Sequence, residues 1–288
     1  MDAICIDIGN THIALALFLN NQLEQVERLP AGNPQGLSER IRALRGKCGP
    51  QPLGARTVPV VVSSVNPATC RLVEEAVADA LDQRILLIGR DVPLDIKYAV
   101  EDIEAVGADR LLTAAAAYAV VEDAVVVADF GTATTIDCVD HYGIFLGGAI
   151  LPGLTLQARS LHEHTALLPE VRPDRPAGDY GTNTVQAIQH GLFYGAIGAL
   201  RGIVERYAAL LGRWPHVVLT GGFAELLAPE ADFVDSTVPH LCLNGIFLAY
   251  KKHREQQQAG LDAEMDQVRR QLGAPQDQAQ PDDQPHDE

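Results

Sequence analysis

Two short segments place a carboxylate, a glycine and hydroxyl or amide side chains directly after an apolar run: Asp7-Ile8-Gly9-Asn10-Thr11 and Asp129-Phe130-Gly131-Thr132-Ala133-Thr134-Thr135. A carboxylate at the end of a buried strand is costly unless it has a partner or a task. Glycine lets the backbone approach a ligand closely or take a positive φ, and the Asn and Thr residues add donors. A turn of this kind can cradle phosphates while Asp7 holds Mg²⁺ directly or through water. Taken singly, it is equally an ordinary β-turn, which favours the same residues. The repetition favours phosphate: phosphoryl transfer asks for charge neutralisation and in-line positioning, and paired Asp turns around a cation supply both.

Further segments lie near these turns in the sequence pattern. Thr220-Gly221-Gly222 follows a third apolar strand; small residues there leave room for an adenine or ribose, or form a plain turn. Gly107-Ala108-Asp109-Arg110 precedes an Ala-rich helix. Asp109 either caps that helix or acts as general base toward a substrate hydroxyl, and one carboxylate can do both. The forked donors of Arg110 suit a substrate carboxylate. Gly147-Gly148 to Pro152-Gly153-Leu154 reads as a strand end entering a helix, and Thr182 or Asn183 as the cap of the next helix, which leaves Thr184 ambiguous. His162 and His164 are two apart, so they do not share a helix face and read as surface or rim residues rather than zinc ligands.

The elements that must position these residues are strands over Ala3–Ile8, Ile13–Leu19, Val58–Val62, Arg84–Ile88, Ala124–Ala128, Ile136–Val139, Gly143–Ile150 and Val217–Leu219. Helices fall over Leu37–Leu44, Thr69–Leu81, Asp109–Glu122, Leu154–Leu161 and Asn183–Leu210. Each half opens with an apolar strand, Asp-x-Gly-(Asn/Thr) and a hairpin. The chain therefore reads as a duplicated α/β protein with one domain over 1–123 and a second over 124–252. Beyond 253 Gln, Asp, Glu and Pro accumulate; Leu261–Leu272 has a weak helical pattern, and Gly273–Glu288 is expected to be disordered because it offers little apolar area to bury.

The chain has 288 residues, 47% hydrophobic and 21% charged, with a formal net charge of −16. That composition suits a globular protein with a sizeable core, and the acidic balance argues against a broad nucleic-acid-binding face. The five cysteines show no CxxC pair or metal spacing, which suits reduced thiols in a cytoplasmic protein. No signal peptide or membrane-length apolar run is expected.

In their order, the motifs resemble the type III pantothenate kinases, within the superfamily that unites acetate kinases, sugar kinases and actin. The resemblance runs from about Ala3 to Tyr250 and rests on DIGNT at Asp7, GADR at Gly107, DFGTATTID at Asp129, GGAILPGL at Gly147, TALLP at Thr165, GTNTVQAI at Gly181, HGLFYG at His190, TGG at Thr220 and LCLNGI at Leu241. It implies a duplicated actin-like (ribonuclease H-like) fold with two similar domains around an ATP cleft. It also implies transfer of the ATP γ-phosphate to pantothenate, giving 4′-phosphopantothenate, the first step towards coenzyme A.

By the same resemblance, Asp7, Ile8, Gly9, Asn10, Thr11, His12, Ile13 and Ala14 form the first phosphate loop, and Thr132 contacts ATP. Asp109 is the proton acceptor. Tyr98, Gly107, Ala108, Asp109, Arg110 and Thr184 bind pantothenate, Thr184 across a homodimer. Asp129 is a ligand of a monovalent cation, K⁺ or NH₄⁺, needed beside Mg²⁺. The chain departs from the family pattern at Asn66, where an apolar residue is common, and at Ala16, where Gly is common. Two other readings remain: a non-catalytic transcriptional accessory protein of the same fold, and a related small-molecule kinase with another acceptor. Retention of Asp7, Asp109, Arg110 and Asp129 weighs against the first, and GADR ahead of the second Asp turn against the other.

Overall fold

The computed structural model describes residues 1–32, 34–49 and 57–271. Residues Met1–Tyr250 form one unit, and a second begins at Lys251.

The first sheet contains β1 (Ala3–Ile8), β2 (His12–Leu19), β3 (Gln22–Pro30), β4 (Val60–Ser64) and β5 (Leu86–Leu87) in the order β3-β2-β1-β4-β5. A short β6 (Lys97–Tyr98) and α3 (Ala108–Val121) follow the helices α1 (Leu37–Lys47) and α2 (Pro67–Leu81). The second sheet adds β7 (Val125–Phe130), β8 (Ala133–Val139), β9 (Ile144–Pro152), β10 (His216–Thr220) and β11 (Ser236–Thr237) in the order β11-β10-β7-β8-β9-β6. Without its edge strand β6, this order is that of the first sheet repeated. In both sheets the first strand pairs antiparallel with the second and parallel with the fourth. The duplication expected from the two Asp turns is thus a duplication of topology. The remaining helices are α4 (Leu154–Glu163), α5 (Thr184–Leu211), α6 (Ala224–Leu227) and α7 (Leu241–Gln271).

Side chains alternate between the faces of a strand, and here both faces of each sheet are covered. Ile4, Ile6 and Ile8 of β1 pack with Val60 and Val62 against α1 and α2, while Ala3 and Cys5 face Leu112 of α3 and Leu243, Ile246 and Phe247 of α7. In the second sheet Val126, Ala128 and Phe130 pack against α4, α5 and α6, while Val125 and Val127 face Leu111 and Ala114 of α3. Helix α3 and the first turns of α7 therefore form a layer between the two sheets. The two helices cross closely: Gly245 sits on the Leu112 carbonyl, where a Cβ would clash. Phe247 stacks on Phe18 with ring centroids 4.2 Å apart.

The sequence reading has no strand over Gln22–Pro30, since QLEQVERLP buries only Leu29. It is held by its ladder with β2. Asn66, the departure from the family pattern, is the N-cap of α2: its side chain accepts from the Thr69 N–H at 3.1 Å, ahead of Pro67 in the first turn. The Leu261–Leu272 pattern belongs to α7 as far as Gln271, and Gly273–Glu288 lies outside the described residues.

Candidate active site

The site is assembled where the ends of the two equivalent strands meet the start of α3. Asp7 is the fifth residue of β1 and Asp129 the fifth of β7. The alternation that sends Ala3 and Cys5 towards α3 also sends Asp7 there, and Asp129 follows Val125 and Val127 in the same way. Asp109 stands in the first turn of α3, and its charge acts on both. The turns after the two strands are alike, with Gly9 N–H donating to the His12 carbonyl at 3.0 Å and Gly131 N–H to the Ala133 carbonyl at 3.1 Å. They meet directly: the Thr11 and Thr132 hydroxyls are 2.7 Å apart although 121 residues separate them. Asn10, Thr11, His12 and Thr132 are exposed, whereas Ile8 and Ile13 are buried beneath the turn and Ala14 pairs with Asp7.

The electrostatics reflect this convergence. Burial, then the nearby Asp109 carboxylate, push Asp7 up to about 7; the neighbouring Cys242 thiol and Arg28 oppose this, and Asp129 adds to it. Burial and Asp109 likewise push Asp129 up to about 6, opposed by Arg28. Such clustered, desolvated carboxylates are typical of functional sites. Among the described residues no group of three or more His, Cys, Asp or Glu is arranged to hold a metal by itself. The donor set suits a Mg²⁺ that shares its shell with water and phosphate oxygens. Gly221, with φ +92, lies against the Asp129 carboxylate and the Phe130 backbone, where a Cβ would collide. A fully buried hydroxyl without a partner, Ser63 Oγ, lies beside Asp7 in the β1–β4 register.

Asp109 does not cap α3. The N-cap is Gly107, and Asp109 Oδ1 accepts from the Arg110 N–H at 2.9 Å. Gly107 leaves no room for a Cβ beside that carboxylate, and Ala108 begins the helix. The Arg110 guanidinium is engaged by Asp137, a residue the sequence reading did not single out. Nε donates to both carboxylate oxygens at 3.1 Å, and Nη2 also donates to Oδ1. Burial disfavours the Arg110 cation, but hydrogen bonds and charge from Asp137 outweigh it and raise its pKa; burial raises that of Asp137 against the pull of Arg110. With its Nε and Nη2 donors on one carboxylate, the pair is ionised. Gly148, opposite Asp137 in the ladder, makes space for it, since a Cβ there would meet the Asp137 carboxylate. A carboxylate inside the apolar run Ile136–Val139 was the available signal.

Tyr98 is half exposed on the edge strand β6, opposite Phe145, and Phe145 in turn lies under the Arg110 guanidinium at 5.9 Å. Thr184 lies elsewhere. It follows the N-cap Asn183, whose side chain accepts from Gln186 N–H at 3.0 Å, and it lines a cavity of about 840 Å³ between α4 and α5 with Leu156, Leu161 and Leu168. Among the described residues no hydrogen bond joins it to the carboxylates. A second cavity, of about 780 Å³, opens beside Gly222 and Phe223 and is bordered by Arg159 and Arg172.

No helix among the described residues is long and apolar enough to cross a membrane. The fold is similar to that of a Campylobacter jejuni protein described as a candidate Baf family transcriptional activator (TM-score 0.56, 19% identity, covering 88% of this chain and 99% of that one). It is also similar to that of the activator of 2-hydroxyisocaproyl-CoA dehydratase from Clostridium difficile, solved with ADPNP (TM-score 0.52, 15% identity, 90% and 98% covered). At these identities the likeness concerns the fold, which is the duplicated actin-like ATPase architecture. In sequence, the chain is 35% identical over 251 residues to the type III pantothenate kinase of Moorella thermoacetica, covering 87% of this chain and 99% of that protein. It is 32% identical over 256 residues to that of Geobacter sulfurreducens, with 88% and 99% covered. The family model described as type III pantothenate kinase matches residues 3–206, a span that holds both Asp turns, Asp109 and the Arg110–Asp137 pair, and this chain belongs to the type III pantothenate kinase family.

Proposed function

We propose that the site transfers the γ-phosphoryl group of ATP to the hydroxyl of pantothenate, giving 4′-phosphopantothenate in coenzyme A biosynthesis. The observation that carries this reading is the meeting of the two equivalent Asp turns, through Thr11 and Thr132, at the start of the helix that bears Asp109. The turns at Gly9 and Gly131 receive the phosphates, with Asp7 organising Mg²⁺ through water and Asp129 holding K⁺ or NH₄⁺. The cavity beside Gly222 takes the nucleoside end. Asp109 accepts the hydroxyl proton as the nucleophile attacks. Arg110, fixed by Asp137, turns its remaining donors to the substrate carboxylate, and Tyr98 borders that end.

Thr184 completes the pantothenate site from a second copy of the chain. Exposed apolar side chains near its cavity, among them Leu156, Leu161, Leu167 and Val185, support that face as the dimer contact. Closure of the halves 1–123 and 124–252 over the bound substrates excludes water.

The test is a coupled ADP-release assay with ATP, Mg²⁺, K⁺ and pantothenate, omitting pantothenate and K⁺ in turn. Turnover that requires both is expected. Asp109→Asn should lower kcat at least ~100-fold, the scale of general-base catalysis, with unchanged thermal unfolding. A folded Asp109→Asn protein with wild-type turnover sinks the base assignment, and a folded wild type that turns over without pantothenate sinks the substrate.

A further inference from the structure

The charges at the cleft are out of balance for the proposed reaction. Asp7, Asp109 and Asp129 act on one another there, and a triphosphate adds more negative charge than one Mg²⁺ offsets. Arg110 is committed to Asp137. The lysines of the chain are Lys47, Lys97, Lys251 and Lys252; Lys47 bonds to Gln25, Lys97 lies on the edge strand β6, and the other two belong to the second unit.

One cation is left. Arg28 of β3 is opposite Ala14, which is opposite Asp7, which is opposite Ser63, so four residues form one transverse row of the first sheet. Residues in register across a sheet project from the same face. This face carries Cys5, Ala16 and Val61 against α3 and α7. Arg28 stands two strands from Asp7, roughly 10 Å, and the Ala14 between them has no side chain beyond Cβ to block an arm reaching across. Arg28 is exposed, and its side chain has no hydrogen bond or ion pair among the described residues. Arg40, Arg42, Arg90 and Arg110, by contrast, are each matched to a carboxylate. Its charge acts on Asp7, on Asp129 of the other sheet and on His240, so it faces the place where the two turns meet.

We propose that Arg28 is a phosphate-binding residue of the nucleotide site, its guanidinium reaching over Ala14 to donate to the terminal phosphate oxygens of ATP. The inference rests on the kinase reading. An unpaired guanidinium fork matches phosphate geometry. The same charge opposes the repulsion between the substrate and the carboxylates, and it stabilises the charge that spreads over the phosphoryl oxygens during transfer. Asp7, two strands away in the same row, supplies the metal side of that arrangement.

The experiment is a calorimetric titration of adenylyl imidodiphosphate, ADP and AMP into the full chain with Mg²⁺, for wild type and Arg28→Gln, beside steady-state kinetics. For Arg28→Gln the affinity for the imidodiphosphate should fall about tenfold or more, that for ADP less, and that for AMP less than twofold. The kcat/KM for ATP should fall with it while the KM for pantothenate stays within about twofold. Equal affinities of variant and wild type for the imidodiphosphate, or an equal loss for AMP, overturn the proposal. A residue that only relieved repulsion within the fold would shift the melting temperature without this dependence on phosphate number. Should Arg28→Gln fail to fold, Arg28→Lys decides by the same titration: charge without the fork should cost about threefold or more for the imidodiphosphate and nothing for AMP, and unchanged binding overturns the idea. A wild type that binds the imidodiphosphate but releases no ADP with pantothenate counts against the kinase reading alone.

Discussion

Removing the Asp7 charge should stabilise the protein while abolishing its activity. Burial and the nearby carboxylates hold Asp7 at about 7, against 3.8 for a free side chain. Ionised Asp7 therefore costs folding free energy. The cost is absent below pH 3.8, grows as pH rises, and is complete above about 7. At 1.36 kcal/mol per pKa unit, the difference amounts to roughly 4 kcal/mol at pH 8 and less than roughly 2 kcal/mol at pH 5. Asp7→Asn keeps the shape and removes the charge, so the variant should gain about that much at pH 8. For a chain of this size the melting temperature should rise by roughly 8–16 °C, with a smaller rise at pH 5. Denaturant or thermal unfolding of both proteins at the two pH values, without Mg²⁺ or nucleotide, measures this. The ADP-release assay should meanwhile read near zero for the variant. A variant less stable than wild type at pH 8, or one whose gain is the same at both pH values, would refute the account of Asp7 as a desolvated, mutually repelled carboxylate.

Two other substitutions test the scaffold of the site. Asp137→Ala leaves the Arg110 cation without its buried partner and should cost about 3–5 kcal/mol, read as a loss of denaturation midpoint. Replacing Arg110 by Met in the same chain should recover part of that loss, since no unpaired charge remains, and a cost in the double variant equal to the sum of the two single ones would show the pair to be uncoupled. Gly221→Ala forces a Cβ at φ +92 against the Asp129 carboxylate and the Phe130 backbone; it should cost about 1–3 kcal/mol and weaken nucleotide binding measurably by calorimetry. Wild-type stability and affinity in that variant would show that the turn can move aside.

Much of the site was legible because its chemistry is costly to place at random. Asp7 and Asp129 each end an apolar run in front of a glycine, and a desolvated carboxylate in that position needs a task. Asp137 carried the same signal within Ile136–Val139, yet a lone acid inside a strand does not name its partner, and Arg110 lies 27 residues away. Arg28 gave no signal at all. On a strand with a single buried residue, one Arg among Gln and Glu reads as surface, and only its register with Ala14 and Asp7 places it on the face of the cleft. Of the two readings of Asp109, the cap fell to Gly107, because the Asp109 side chain turns to the Arg110 N–H instead.

The sequence by itself determined the elements and their repetition: apolar runs of strand period, Asp-x-Gly turns after two of them, an Ala-rich helix behind Gly107, and a family likeness through ordered motifs. Those are local properties, set by backbone propensity and by the cost of burying polar groups. Tertiary structure alone decided that the repeated sheets share one layer of helices, that Thr11 meets Thr132 at 2.7 Å, and that the Asp109 charge acts on both of the other two carboxylates. Strand alternation fixes which face a residue takes, but what that face meets depends on packing between segments more than a hundred residues apart, and the electrostatics of the site arise only from that meeting.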